Sequence, residues 1–283
     1  MALITDIHTH SAFSHDSETD LKIMLSSALN KGVCFYGVAE HFDYDVLYGK
    51  TERELCIIDE ENYFHAARHL QEDYAGVMNV LVGAEFGYTE NENAHTMYKA
   101  TVEKYAPDFI VNSIHTDNGI DYFFGEPYYT YVNGERVARP KKQAYERYLE
   151  LIRRSLDAPY PYDIVAHIGY VTRYAPYADK RMPYGEYAEK IDEILLAIIQ
   201  KNKILEINGK NFNSGKYVSA TLPDFDMVER YFALGGRNIS YASDAHAPNQ
   251  IIEGRKEIVA RLKAIGFTHF TVPCRGEYIK IPL

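Results

Sequence analysis

The sequence lacks any hydrophobic run long enough to cross a membrane, because no apolar stretch approaches the roughly 18–20 residues of a transmembrane helix. Its first residues show neither the basic region nor the apolar region of a secretory signal peptide. Cysteine is scarce: the three cysteines are widely spaced and form no C-x-x-C pair. We therefore expect reduced thiols and a cytoplasmic protein.

Basic side chains are few relative to acidic ones, since 30 Lys and Arg stand against 40 Asp and Glu, a formal net charge of −10. This balance argues against nucleic acid or an anionic membrane surface as a partner. It leaves open an anionic small substrate, because a site can carry a local charge opposite to that of the whole chain. Tryptophan is absent, and 25 tyrosines and 13 phenylalanines supply the aromatic side chains.

Short apolar runs alternate with longer amphipathic stretches along the chain. Seven runs rich in Val, Ile and Phe have the length and composition of buried parallel strands: 2–8, 33–41, 79–86, 108–115, 162–169, 203–208 and 238–246. The predicted helices cover 18–31, 60–75, 92–105, 141–157, 184–201, 222–234 and 250–264. A last run, 268–273, is expected to form a short edge strand.

Strict alternation of strands and helices predicts a parallel α/β architecture. The simplest arrangement is a (β/α)7 barrel that takes up residues 1–283 as one domain, although alternation alone also allows a doubly wound open sheet. In a barrel, the long connections 42–59, 116–140 and 170–183 would lie on the C-terminal face, where active sites are built. The Tyr-rich connection 116–140 is expected to be a substrate wall or lid, or alternatively a surface flap.

Potential metal ligands gather at the C-terminal ends of the predicted strands. Seven histidines lie at or just beyond such an end: His8, His10, His15, His41, His115, His167 and His246. Glu85 and Asp244 hold equivalent positions, and the run 203–208 ends in Glu206 and Asn208. Independent packing accidents should not place ligands on six of seven strand ends, so we predict a metal site at this rim.

The types of ligand indicate which ions fit. Because side chains alternate along a strand, His8 and His10 point to the same side, and Asp244 and His246 repeat that spacing. Imidazoles mixed with carboxylates suit Zn²⁺, Mn²⁺ or Fe²⁺ better than Ca²⁺ or Mg²⁺. Nine candidate ligands exceed what one tetrahedral ion uses. We therefore expect two or three divalent ions, with Glu85 able to bridge a pair.

Taken in order, several short motifs resemble those of the polymerase and histidinol phosphatase (PHP) superfamily. They are DIHTH at 6–10, AEH at 39–41, GAE at 83–85, SIH at 113–115, AHIG at 166–169, LEIN at 205–208 and SDAH at 243–246. The resemblance spans residues 6–246, and the stand-alone form of the chain is similar to bacterial histidinol-phosphate phosphatases. It implies a distorted (β/α)7 barrel with a trinuclear metal centre on its C-terminal face.

The resemblance also implies how the ligands divide among the ions. The first ion would be held by His8, His10, Glu85 and Asp244, the second by Glu85, His115 and His167, and the third by His15, His41 and His246. The chain departs from typical members in the long Tyr-rich insertion after His115, which leaves the substrate open.

The resemblance implies hydrolysis of L-histidinol phosphate to L-histidinol and phosphate, a step of histidine biosynthesis. Bound ions would make the pocket positive, and a hydroxide shared by two of them would attack phosphorus in line. Asp244 or His246 is the candidate proton donor for the leaving alcohol. Candidate substrate-binding residues are Arg173 and Arg139, whose guanidinium groups suit phosphate, and Asn208. Asp43, Asp117, Glu126 and the tyrosines of 122–131 offer partners for the ammonium and imidazole groups, without a basis for choosing among them.

Other functions stay open on the sequence alone. A nucleotide phosphodiesterase or a protein-tyrosine phosphatase of the same superfamily would share the metal centre and differ in the loops. A non-catalytic metal-binding module is less favoured, because the ligand set is intact. An amidohydrolase usually adds a strand-end lysine as a carbamate bridge, and these strand ends carry none. The metal, the oligomeric state and closure of the 116–140 segment are left undecided.

Overall fold

Seven parallel strands form the centre of the molecule, hydrogen-bonded side by side in the order in which they occur along the chain. The computed structural model describes residues 3–45, 58–212 and 215–283, so most of the predicted connection 42–59 lies outside the described residues. The strands are β1 Ile4–Thr9, β2 Val33–Phe42, β3 Asn79–Gly87, β4 Phe109–Ser113, β5 Ile164–Val165, β6 Ile204–Asn208 and β7 Ile239–Ala242.

The first and last strands meet at a seam that nearly closes the sheet into a barrel. The backbone N–H of Asp244 donates to the carbonyl of His8 at 2.9 Å, and the N–H of His10 donates to the carbonyl of Ala245 at 2.8 Å. Both bonds lie at the C-terminal ends of the strands. The predicted distorted (β/α)7 barrel is therefore confirmed, and the open-sheet alternative is wrong.

Eight α-helices accompany the strands in the ranges that the structure describes. They are α1 Leu21–Asn30, α2 Glu60–Asp73, α3 Glu92–Tyr105, α4 Lys141–Ser155, α5 Val171–Tyr174, α6 Ala188–Gln200, α7 Phe225–Ala233 and α8 Arg255–Ile265. Asp20 caps α1 by accepting from the N–H of Lys22, and Asp59 caps α2 by accepting from the N–H of Asn62. None of the helices in the described ranges is both long and apolar enough to cross a membrane.

Tyrosines fill much of the core between strands and helices in this tryptophan-free protein. Among the bulkiest fully buried side chains are Tyr63, Tyr98 and Tyr128. Their hydroxyls donate to the backbone carbonyls of Gly83, Gly87 and Val171 at 2.6, 2.6 and 2.5 Å. A buried phenol needs such a partner, so these bonds fix each ring in one position.

A separate apolar cluster fills the inside of the barrel. Its buried members are Ile7, Ala39, Leu81, Phe109, Val111, Ile164, Ala166 and Ile204 from the strand segments, with Val272 and Ile281 from the end of the chain. The last two belong to an antiparallel hairpin, His269–Cys274 with Glu277–Pro282, which we call the C-terminal hairpin.

The C-terminal hairpin lies at the end of the barrel away from the strand ends that carry the candidate ligands. Its turn residue Arg275 donates from the backbone N–H to the carbonyl of Asp108 and from Nε to the carboxylate of Asp108, both at 2.7 Å. Asp108 comes directly before β4, so this contact marks the N-terminal end of the strands. The expectation of an edge strand at 268–273 is wrong, because the run pairs within its own two-stranded sheet.

The Tyr-rich insertion 116–140 is not a plain loop. It contains one hairpin, Thr116–Asp117 with Ile120–Asp121, two 3-10 turns, Tyr122–Phe124 and Glu126–Tyr128, and a second hairpin, Tyr129–Val132 with Glu135–Ala138. Tyr122 and Tyr128 are buried, whereas most residues of the second hairpin are exposed. The insertion thus has an anchored part near the barrel and an exposed part beyond it.

Candidate metal centre

Glu85 lies at the centre of the site, at the end of β3, and is fully buried. Its Oε1 lies 3.2 Å from Nε2 of His115 and 3.1 Å from Nε2 of His167. Its Oε2 lies 3.4 Å from Nε2 of His8 and 2.7 Å from Nδ1 of His41. Nε2 of His10 also lies 3.6 Å from Oε2. The two carboxylate oxygens therefore face different histidines, which is the arrangement expected of a bridging carboxylate.

The remaining candidate ligands lie beside this group. Nε2 of His10 is 3.5 Å from Oδ1 of Asp244, and Nδ1 of His246 is 3.6 Å from the same oxygen. The rings of His10 and His246 are 4.3 Å apart, and the ring of His15 lies 5.4 Å from that of His41. The structure thus brings all nine residues that we named as ligands to one end of the barrel.

Four groups of three side chains place their ligand atoms within 4.8 Å of one another: His8 with His10 and Glu85, Glu85 with His115 and His167, His10 with His41 and His246, and His41 with Asp43 and His115. The second group has the same three residues as the set that the family resemblance implies for the second ion. The first group lacks Asp244 of the implied first set, and the third has His10 where the implied third set has His15. The fourth adds Asp43, which we did not name as a ligand.

Several ligand atoms of the site lie close together, as expected of atoms that bind a cation. Nδ1 of His8 is hydrogen-bonded to Oε2 of Glu206 at 2.7 Å, and Nδ1 of His10 to Oγ of Ser14 at 3.0 Å. When both Nδ1 atoms donate these bonds, the two Nε2 atoms, 3.1 Å apart, turn lone pairs toward each other unless a proton or a cation lies between them. Oε2 of Glu85 is buried without a hydrogen bond. The residues therefore fit a group of divalent transition-metal ions.

Electrostatics keep the carboxylates in the form that a metal requires. Burial alone would raise the pKa of Glu85, but the neighbouring histidines His8, His115 and His41 outweigh it and hold that pKa well below its usual value. Burial also works against ionisation of Asp244, yet Lys210 and the surrounding histidines hold its pKa well below normal. Both carboxylates are ionised at neutral pH.

Several histidines are oriented by a partner behind them. Glu206 is hydrogen-bonded to His8, as described above. Ser14, which is bonded to His10, donates in turn from its hydroxyl to Oε2 of Glu40 at 2.5 Å. Nδ1 of His115 lies 3.3 Å from Oδ1 of Asp43. Such partners fix which ring nitrogen carries the proton and leave the other nitrogen free for a metal.

The backbone is strained at two of the site residues. His167 has a φ of 20° and Asp244 a φ of 52°, both in the region that L-residues rarely adopt. Such values often mark functional sites, where the surrounding structure over-determines the conformation. Position 87 has no room for a side chain, because a Cβ atom there would lie 1.9 Å from Oδ1 of Asp43. Glycine is therefore required at this position.

Two cationic side chains approach Asp244: Arg173 from α5 and Lys210 from the turn that follows β6. Arg173 is buried, and its guanidinium donates to Oδ1 of Asn211 at 3.1 Å and to Oδ1 of Asn208 at 3.3 Å, while Nη2 lies 3.6 Å from Oδ2 of Asp244. Nζ of Lys210 lies 3.0 Å from Oδ1 of Asp244. Asn208 itself donates to Oδ2 of Asp244 at 3.2 Å, so its amide group positions the site.

These residues line a single pocket above the candidate ligands. Its lining consists of His15, Asp16, His41, Asp43, His115, Asp121, His167, Tyr170, Arg173, Tyr174, Lys210 and Asp244. Arg139 is not among them: its Nε donates to the carbonyl of Tyr129 at 2.9 Å, and it lines a different cavity within the insertion. The expectation that Arg139 clamps phosphate is therefore corrected, because its side chain is turned toward the second hairpin.

Sequence reasoning missed several residues of this pocket. Lys210 follows Asn208 by two residues but lies beyond the end of β6, so the two-residue period of the strand does not indicate it. Asp16 accepts from Nε2 of His246 at 2.9 Å and lies 3.6 Å from Nε2 of His41. It stands in an irregular loop, where no periodic signal points to it.

Comparison with known proteins gives one consistent result. The profile of the PHP domain matches residues 6–210. The chain is 28% identical over 249 residues to a probable histidinol-phosphatase of Clostridium acetobutylicum, an alignment that covers 88% of this chain and 89% of the relative. It is also 28% identical to the histidinol-phosphatase of Lactococcus lactis, covering 85% of this chain and 83% of that one.

The fold has a close counterpart among solved structures. The crystal structure of histidinol phosphate phosphatase from Lactococcus lactis, in complex with zinc, L-histidinol and phosphate, superposes with a TM-score of 0.84 and 25% sequence identity. The superposition covers 98% of this chain and 99% of that one. A histidinol phosphatase structure from Listeria monocytogenes, at 19% identity and a TM-score of 0.71, shares the fold.

Proposed function

Because this chain belongs to the PHP domain family, we propose that it is a phosphatase that hydrolyses L-histidinol phosphate to L-histidinol and inorganic phosphate. The observation that carries this proposal is the agreement between near full-length similarity to histidinol-phosphatases and the gathering of nine candidate metal ligands at one end of the barrel. A small phosphorylated substrate and a cytoplasmic location accord with a biosynthetic phosphatase.

We propose that the pocket holds two or three divalent transition-metal ions. The ligands would be the nine residues that the sequence indicates: His8, His10, His15, His41, Glu85, His115, His167, Asp244 and His246. Support comes from the ligand groups of the structure, which include seven of these nine residues, all but His15 and Asp244, and from the zinc in the Lactococcus lactis structure. When bound, such ions ionise water near neutral pH and offset the charge of a phosphoryl group.

The cationic side chains give this pocket its affinity for phosphate. Arg173 is held by Asn208 and Asn211, so its planar guanidinium is oriented before substrate arrives. Lys210 adds a second positive charge next to Asp244. In our proposal Arg173 binds the non-reacting phosphoryl oxygens, and Asn208 keeps the Arg173 guanidinium in place.

Departure of the alcohol needs a group that meets the negative charge developing on its oxygen. Of our two candidate proton donors, Asp244 is the less suitable, because Lys210 and nearby histidines hold its pKa well below normal and keep it ionised. Burial and the neighbouring Lys210 also lower the pKa of His246, so the electrostatics favour neither candidate as a proton donor. Nζ of Lys210 lies 3.0 Å from Nδ1 of His246 and is positively charged, so it is placed to stabilise the leaving oxygen.

The test is steady-state release of phosphate from L-histidinol phosphate, on protein whose metal content is counted in the same sample. We expect a kcat/KM above about 10⁴ M⁻¹s⁻¹, within the ordinary range of enzymes, with two to three ions per chain. A phosphotyrosine peptide and a nucleotide phosphodiester are assayed beside it. Metal-loaded protein that prefers either of these would contradict the proposed substrate while retaining the family.

A further inference from the structure

The proposed substrate presents more than a phosphate to the pocket. Its carbon chain carries an ammonium group on the carbon next to the ester methylene, and an imidazole beyond it. The candidate metal ligands and the two cations, Arg173 and Lys210, suit the phosphate and would repel the ammonium group. A negatively charged group elsewhere in the pocket is therefore needed to bind it.

Most carboxylates near the pocket already have positive partners. Asp117 accepts from the guanidinium of Arg147 at 2.9 Å, and Glu126 lies 3.3 Å from Nη2 of Arg136. Asp43 lies against His115 and belongs to one of the candidate metal groups. These three were the acidic residues that the sequence offered, and each is occupied.

Asp121, in the anchored part of the insertion, is different. Its Oδ1 accepts from the backbone N–H of Phe123 at 2.7 Å and from the hydroxyl of Tyr170 at 3.2 Å, and both donors are neutral. No cationic side chain pairs with Asp121 among the residues that the structure describes, yet Asp121 lines the pocket. Its charge is therefore available to a ligand, and an ammonium group is the complementary one.

Tyr170 connects Asp121 with the candidate metal ligands. The Tyr170 ring lies 5.2 Å from the ring of His115 and 5.5 Å from that of His167, while its hydroxyl reaches Asp121. One tyrosine ring thus spans the distance between the metal end of the pocket and the carboxylate. A substrate with a cation close to its ester group matches this short separation.

Aromatic rings surround the same part of the pocket. The ring centroids of Tyr170 and Tyr174 are 5.6 Å apart, and those of Tyr174 and Phe123 are 5.2 Å apart. Ring faces of this kind attract cations and stack on a flat heterocycle such as imidazole. They supply the second half of a site for a positively charged organic group.

We propose that Asp121 binds the ammonium group of the substrate, oriented by Tyr170, and makes this phosphatase select phosphomonoesters with a positive charge close to the ester. The inference rests on the proposed function and adds to it a residue that determines specificity. It also explains why the insertion departs from a plain loop: its first hairpin ends at Asp121 and places that carboxylate in the pocket.

The experiment compares two esters that differ only in the amino group: L-histidinol phosphate and 3-(imidazol-4-yl)propyl phosphate. In Asp121→Asn, we expect kcat/KM for histidinol phosphate to fall by about 10- to 100-fold, mainly through KM, because a charge-assisted hydrogen bond is lost. The preference of the enzyme for the amino ester should fall by a similar factor. Tyr170→Phe, which keeps the ring, should show a smaller loss of the same kind.

The matched control is Glu126→Gln, a neutralised carboxylate of the same insertion that is paired with Arg136 and lies outside the metal pocket. It should keep the preference of the unmodified enzyme. Metal content and thermal melting are measured for each variant, so that loss of ions or of folding is separated from loss of recognition.

Two results would overturn the inference: an Asp121→Asn enzyme that keeps the preference for the amino ester, or one that loses activity on both esters equally. The pair O-phosphoethanolamine and ethyl phosphate repeats the comparison without the imidazole. If histidinol phosphate is not hydrolysed at all, the proposed function fails. This second pair then still decides whether Asp121 selects an ammonium group.

Discussion

At the scale of single residues, the site depends on side chains that are hydrogen-bonded to the candidate ligands and orient them. Glu206 accepts a hydrogen bond from the imidazole of His8 in β1. Ser14 accepts one from the imidazole of His10, which directly follows β1. An imidazole ring can rotate and can carry its proton on either nitrogen. These partners remove both freedoms, so the cost of organising the ligands is met during folding and not at metal binding.

Glu206→Gln tests this role. Glutamine keeps the size of the buried side chain but no longer accepts with a charged carboxylate from Nδ1 of His8, 2.7 Å away. We expect metal affinity to fall about 10- to 100-fold, with activity recovering as metal is added in excess. The measurement is a titration of chelator-treated protein with zinc, followed by activity and by metal analysis. Unchanged zinc affinity would show that Glu206 does not orient His8.

The nine candidate ligands could be predicted from the sequence because their positions follow from a simple rule. Parallel strands end at one rim, so any His, Asp or Glu at a strand end faces the same space. The rule fails for side chains in irregular segments. Asp16 and Asp121 stand in loops or turns, and only the three-dimensional path of the chain brings them to the pocket. The prediction that Arg139 binds phosphate is wrong for the same reason, because this residue also lies in the irregular insertion.

At the scale of elements, the two ends of the barrel differ in kind. The C-terminal end of the strands is lined by polar and charged groups, whereas the N-terminal end is covered by the C-terminal hairpin. The sequence could not predict this cover. Run 268–273 has the composition of a strand, but its antiparallel partner, Glu277–Pro282, mixes charged and apolar residues. Of these, Ile281 belongs to the barrel-interior cluster and Tyr278 packs against that cluster.

The hairpin supplies a matched pair of substitutions. Ile281 is 3% exposed and belongs to the barrel-interior cluster, whereas Ile279, two residues earlier, is 36% exposed. We expect Ile281→Ala to lower the free energy of unfolding by about 2–5 kcal/mol, because it leaves a cavity inside the barrel. Ile279→Ala should change it by no more than about 0.5 kcal/mol. Urea denaturation measures both.

Equal effects of the two substitutions would contradict the assignment of the hairpin as a cover over the barrel interior. The kinetic constants of the Ile281→Ala protein at a temperature where it is folded should match those of the unmodified enzyme. We expect this because the C-terminal hairpin contacts the N-terminal ends of the strands, at the end of the barrel opposite the pocket.

At the scale of the whole molecule, metal ions and folding should be coupled. The candidate ligands come from six of the seven strands or from residues just beyond them, so bound ions would join elements distributed around the barrel. An ion that binds the folded state but not the unfolded chain adds about 4 kcal/mol of stability when its concentration is a thousand times its dissociation constant.

Removal of the ions should therefore lower the melting temperature by roughly 5–15 °C, as the stability gained from binding is lost. The measurement is thermal unfolding of chelator-dialysed protein, before and after zinc is restored. A melting temperature that does not change on removal of counted ions would indicate that the ions are not held by residues from several strands.

The seam between β1 and β7 has a consequence for how the protein is made. His8 and His10 precede Asp244 and His246, their neighbours across the seam, by 236 residues in the sequence. At about 5–20 residues per second, the two sides are synthesised roughly ten to fifty seconds apart. On the proposed ligand set, a nascent or truncated chain cannot complete its first metal site. Retention of the full set of ions would thus distinguish finished copies from incomplete ones.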